Sequence, residues 1–219
     1  EYKRLMGDLE ARGKLDRALE FLPSDEELAE RISAGQGLTR AELSVLISYS
    51  KIDLKESLLK SLVPDDDYLT RDMETAFPQT LVDTFGPAMR RHRLKREIIA
   101  TAVTNQTINR MGATFLMRMQ EDTGRSIAEV AKAYTISRET LDARALWAQI
   151  DALDGKLPES VQIDALEVIW KLQRSFVRWL LNRPGAMPGI TAAVERYQGP
   201  FNDIRVVSIE HKMGLHASP

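Results

Sequence analysis

Two stretches and three scattered histidines carry residue types that could do chemistry. GQGLTR at 35–40 begins like the GxGxxG cradle of a dinucleotide, in which glycines let the backbone approach a pyrophosphate at a helix N-terminus. Arg40 fills the last small position and no strand-like segment precedes it, so the stretch reads as a helix end at Gly35 or Gly37 and a new N-cap at Thr39. Asp65, Asp66 and Asp67 could attract a divalent cation but lack the other ligands of a calcium loop; following Pro64, they read as an N-cap and first-turn acids that complement a helix dipole. The histidines His92, His211 and His216 are dispersed, and two of them five apart do not share a helical face. With no HExxH and no serine beside a histidine in a recognisable motif, neither a catalytic, a cofactor-binding nor a metal residue is assigned.

Two stretches raise nucleic-acid binding. Arg90, Arg91, Arg93, Lys95 and Arg96 crowd one segment, yet at about 100° per residue they encircle a helix and line no single face. SIAEVAKAYTISRETL at 126–141 has the cadence of a helix-turn-helix, with Ala131 at a close crossing and Ser137 opening a second helix. Against it, Thr135 stands where a turn glycine is usual, and Glu139, Asp142 and Asp151 would face phosphate. The formal net charge of -2 also lacks the basic excess of a nucleic-acid or anionic-membrane surface. The expectation is no nucleic-acid and no membrane partner, with a helix-turn-helix or adaptor module as the alternative.

The elements that would position such groups are helices. Ser24 with Glu27, Thr39 with Glu42, and Ser126 with Glu129 have capping-box spacing. Leu43, Ile47, Leu54, Leu58 and Leu62 mark one buried face of a helix over 39–63, and Val161, Ala165, Val168, Leu172, Phe176 and Trp179 mark another after Pro158. Trp170 and Trp179 are expected to be buried packing residues. Pro87 and Gly112 bracket one helix of about 25 residues, some 37 Å long at about 1.5 Å per residue. On it, Leu94, Ile98, Thr101, Asn105, Ile108 and Gly112 form a stripe with an amide at its middle. Asn105 should be interior and share partners with Asn109, a structural polar pair that fixes helix register. Only Ile204 to Ile209 has strand-like β-branched density.

The fold expected is all-α, a multi-helix bundle with at most a minor strand near the C-terminus. Residues 1–35 form a helical lead-in, 36–199 the bundle, and 200–219 an extension of uncertain structure. At 219 residues, 43% of them apolar, the chain can bury a substantial core. It has no cysteine, which fits a reducing cytoplasm, and no signal-peptide or membrane-length apolar run. Starting at Glu1 directly in helix-like sequence, it reads as a piece of a longer polypeptide.

Two long stretches are similar to a known family. GLTRAELSVLISYSKIDLKESLL at 37–59, and RHRLKREIIATAVTNQTINRMGATFLMRMQEDTG at 91–124 with the following SIAEVAKAYTISRE, resemble the C-terminal helical region of the large bacterial NAD-specific glutamate dehydrogenases. GKLDRALEFLPSDEEL at 13–28 and WAQIDALDGKLPESVQ extend the resemblance to roughly residues 10–185, leaving the tail from 200 unmatched. It implies a parent enzyme that oxidises L-glutamate to 2-oxoglutarate and ammonium with NAD. In that family a catalytic domain with a Rossmann-type NAD site precedes the helical region. None of its catalytic or cofactor segments has a counterpart here, so this portion alone is expected to be inactive and to bind no cofactor. Its implied partners are the catalytic domain of the same chain and other subunits of a cytoplasmic homo-oligomer.

Overall fold

Reciprocal caps open three of the helices. Ser24 accepts the Glu27 amide at 3.2 Å while the Glu27 carboxylate accepts the Ser24 amide at 2.7 Å. Thr39 with Glu42 and Ser126 with Glu129 repeat the exchange. Each pair satisfies amide donors that a helix start otherwise leaves orphaned.

The computed structural model describes residues 1–212, with side chains described over 1–203, and among the described residues every regular element is helical. Its contacts divide the chain into two units, Glu1–Ala131 and Lys132–Pro219. In the first unit α1 is Tyr2–Ala11, α2 Asp25–Ser33, α3 Arg40–Leu59, α4 Thr70–Glu74, α5 Gln79–Met89, α6 Lys95–Met111 and α7 Phe115–Thr123. Helix α8, Ile127–Thr140, runs across the boundary, and the second unit continues with α9 Ala143–Asp151, α10 Glu159–Leu181 and α11 Ile190–Lys212.

Helix α3 packs along α6, and α6 along α4. Leu5, Met6, Leu9, Leu28, Leu46 and Met117 share one apolar cluster, which ties α1, α2 and α7 to α3. In the second unit Ala143, Trp147 and Ile150 of α9 meet Ile169 of α10. The rings of Phe176, Trp179 and Tyr197 join α10 to α11, with the Trp179 and Tyr197 centroids 5.3 Å apart.

Two expectations are corrected. The single helix from Pro87 to Gly112 is two helices, α5 carrying Pro87 inside its last turn and α6 starting at Lys95. A continuous helix would stack Arg91 over Lys95 and Arg93 over Arg96, like charges one turn apart. Instead the chain turns, and the His92 Nδ1 accepts the Leu94 amide at 3.1 Å. Arg96 then donates to the carbonyls of Leu59 (3.1 Å) and Ser61 (3.0 Å), acting as a cationic cap for the end of α3, and also pairs with Asp65.

The turn expected within 126–141 is absent, because α8 continues through Thr135 to Thr140. Thr135 lacks the conformational freedom of the glycine that a turn there would need. The chain instead turns at Asp142, whose φ of 47° is a left-handed conformation that aspartate tolerates. Ser137 and Arg138 are buried, and the Arg138 Nε donates to Glu139 at 2.6 Å, so neither can meet a phosphate backbone. The helix-turn-helix reading is overturned.

Finally, the β-branched stretch 204–209 lies within α11 and forms no strand. A lone strand would leave its amides and carbonyls without a ladder, whereas a helix satisfies them locally. His216 and the rest of the tail beyond Lys212 lie outside the described residues.

Candidate functional site

The most concentrated charge in the first unit surrounds Asp53 on α3, which is 5% exposed. Arg12, just after α1, donates to both its oxygens at 3.0 and 2.8 Å, and the Lys14 Nζ donates at 2.5 Å. The two cations have outer partners as well, Asp8 at 2.6 Å from Arg12 and Glu56 at 2.8 Å from Lys14. Burial works to lower the Arg12 and Lys14 pKa values, but the bonds and charges of Asp53, with Asp8 for Arg12 and Glu56 for Lys14, outweigh it and both end raised. Glu56 is held below the usual carboxylate range by its bond to Lys14. Every carboxylate here has its cation, and the arrangement ties α1 to the middle of α3. It is a structural clamp.

Helix α6 has two faces. Ile99, Ala100, Val103, Thr104, Thr107, Ile108 and Met111 are buried, a stripe turned roughly 130° from the one predicted, at about 100° per residue. Of the predicted stripe Ile108 is buried, while the rest lies on the more open face. Leu94, Ile98, Thr101 and Asn105 line a groove of about 480 Å³, together with Thr75 and Ala76. Asn105 is half-buried in this groove and Asn109 is exposed. The neighbouring amide Gln106 donates to the buried Asp72 at 3.3 Å, linking α6 to α4.

Helix α10 repeats the pattern. Its buried residues are Ile169, Gln173, Val177, Leu180 and Leu181. The stripe predicted to be buried lies roughly 100° away around the helix, at about 100° per residue. Along it Val161 is 46%, Val168 64%, Leu172 40% and Trp179 45% exposed, so the expectation that Trp179 is buried is corrected. Trp170 is half-buried. Over the 18 residues from Val161 to Trp179, at about 1.5 Å each, this face runs about 27 Å.

The remaining sequence candidates are dispersed. GQGLTR joins α2 to α3: Gly35 has a φ of 69° just after the end of α2, and Thr39 caps α3. The capping box takes the Thr39 and Glu42 amides, and the Glu42 carboxylate held at the helix start would repel a pyrophosphate there. Asp66 accepts the Tyr68 amide at 3.1 Å in the run of short turns before α4. His92 is exposed, and His211 lies in α11. Among the described residues, no three His, Asp or Glu converge in a metal-holding group. No described helix is long and apolar enough to cross a membrane.

A profile of the glutamate dehydrogenase C-terminal region matches residues 35–212. The chain belongs to that family. Its relatives include NAD-specific glutamate dehydrogenases of Pseudomonas aeruginosa, 67% identical over 83% of this chain, and of Halomonas elongata, 46% identical over 85%. That of Mycobacterium tuberculosis is 32% identical over 86%. The matched region spans only 11% or 12% of each relative's length. The family match reaches into α11, past the limit of about residue 185 that the quoted stretches set.

Sequence reasoning missed the Asp53 clamp. A carboxylate on an apolar helix reads as a surface residue, and its cations lie about forty positions earlier, a separation no local spacing reveals. The second faces had a visible signal: on α10 Ile169, Gln173, Val177 and Leu180 also repeat at helical spacing, beside the stronger stripe that was read as the core.

Proposed function

We propose that this chain is a noncatalytic C-terminal helical portion of an NAD-dependent glutamate dehydrogenase, whose other parts carry the reaction. That parent oxidises L-glutamate with NAD and water, and releases 2-oxoglutarate, ammonium and NADH. It works in the cytoplasm as a homo-oligomer. The family membership supports the parent activity, and the small share of the relatives' length that the chain covers supports NAD and substrate sites lying elsewhere in the parent.

The observation that carries the packing role is the open apolar face of α10. Soluble helices normally turn one apolar stripe inward and polar residues outward. Here a second stripe, Val161, Val168, Leu172 and Trp179, faces outward. Covering these half-exposed side chains is worth about 1 kcal/mol each at roughly 25 cal/mol per Å² of apolar surface, about 4 kcal/mol for the stripe. That is enough to hold a helical region against the catalytic domain of the same chain or against a neighbouring subunit. The groove on α6 provides a second apolar contact of the same kind.

Val168→Glu with Leu172→Glu tests this in the intact dehydrogenase. Both sites are exposed, so the stability of the chain itself should change by no more than about 0.5 kcal/mol. The intact enzyme should lose oligomer size in sedimentation and most of its glutamate-dependent NADH production. Unchanged assembly and activity would refute the packing role.

A further inference from the structure

Beside the apolar stripe, the second unit holds a cavity of about 610 Å³ along the C-terminal half of α10. Lys171, Arg174, Ser175, Arg178, Asn182 and Arg183 line it, with Trp179 at one wall and no carboxylate among the lining residues. Lys171, Arg174 and Arg178 recur at three and four positions, so they follow one side of the helix. The local charge is strongly one-sided. From Val168 to Val194 the sequence has no Asp or Glu, while it contains Lys171, Arg174, Arg178 and Arg183. This happens in a chain whose overall charge is -2.

Two of the guanidiniums are pre-positioned by rings. Arg174 lies 5.4 Å from the Trp170 ring centroid and Arg183 lies 4.7 Å from that of Trp179. Stacking of this kind occupies the flat face of a guanidinium and leaves its N–H edge to bond in the plane. It also reduces the side-chain freedom a ligand would have to freeze. Lys171 has one surface partner, Glu167 at 2.8 Å, and both are exposed, so that pair is cheaply exchanged.

We infer that this cavity is a binding site for a small polyanion, a molecule carrying two or more phosphate or carboxylate groups. Arginine forks suit both groups, because each presents paired oxygens in a plane. The Ser175 hydroxyl and the Asn182 amide add neutral donors. Several anionic groups on one molecule can engage cations spread over about three turns of α10 and the residues after it, a span that a single carboxylate does not reach. The site uses the flank of α10 next to the apolar stripe, and occupancy requires neither that the stripe be covered nor that it be free.

The test is titration calorimetry on the intact polypeptide at constant ionic strength, with inorganic pyrophosphate in one arm and tricarballylate in the other. Saturable binding that persists with the NAD and glutamate sites saturated supports the site in either arm; the tighter arm identifies a phosphate or a polycarboxylate as the natural ligand chemistry. Arg174→Gln with Arg178→Gln should weaken binding at least tenfold, about 1.4 kcal/mol. Lys171→Gln with Arg183→Gln, at two exposed positions, should act in the same direction without affecting the fold, which circular dichroism checks. Absence of saturable binding in both arms, or unchanged affinity in the Lys171 and Arg183 variant, would overturn the proposal.

Discussion

Replacing Asp53 by asparagine should be among the most damaging single changes in the first unit. The substitution keeps the side chain's shape and removes its charge at a position 5% exposed. Removing one partner of a fully buried ion pair costs about 3–5 kcal/mol. Here the cations have other partners: Arg12 retains Asp8 at 2.6 Å, and Lys14 retains Glu56 at 2.8 Å. Both are also partly open to water. The loss should therefore be smaller, about 1.5–3 kcal/mol, with the charge-assisted bonds as the main term. Urea unfolding followed by circular dichroism measures it as a lower midpoint with an unchanged slope. A double-mutant cycle with Arg12→Gln should give a coupling of about 1–2 kcal/mol, because the two side chains share a bidentate contact. A loss below about 0.5 kcal/mol, or additive single changes, would refute the clamp.

Two further outcomes follow from the same geometry. The Glu42 carboxyl is partly buried, which pushes its pKa up, but the Thr39 amide and the Arg31 guanidinium prevail and hold it below the usual glutamate range. A lowered folded-state pKa means that its contribution is fully present above the ordinary glutamate pKa and is lost as pH falls through the lowered value. Urea midpoints measured from neutral pH into acid should fall over that window, and Glu42→Gln should flatten the slope; an unchanged slope would contradict the assignment. Arg96→Gln should destabilise by about 1–2 kcal/mol, since it uncaps the carbonyls of Leu59 and Ser61. Hydrogen exchange should show the loss first at the C-terminal end of α3, and uniform exchange along that helix would argue against the cap.

Local chemistry was the most legible part of the sequence. The three capping boxes depend on residues three apart, and so do the starts of α2, α3 and α8. Periodicity gave the helices and found the buried Leu54 and Leu58 of α3, though Ile47 and Leu62 of the same expected face are exposed, and on α6 and α10 it misjudged which side turns inward. A helix with two apolar stripes cannot declare from its own sequence which stripe the chain covers, and on α6 and α10 the stronger stripe was the open one. The break at residues 90–94 was hidden because Pro87, a good helix starter, sits within the last turn of α5. Asp53 and its cations, and the basic cavity on α10, emerge only when distant side chains are placed side by side.

The packing role is tested most directly by hydroxyl-radical footprinting of Leu172 and Leu94, with the exposed Phe21 as an internal reference, in the isolated chain and in the intact dehydrogenase. In the isolated chain both leucines are about half exposed and should react readily. In the intact enzyme their labelling relative to Phe21 should drop severalfold as the second faces of α10 and α6 are covered. Equal relative labelling in the two forms would contradict the account.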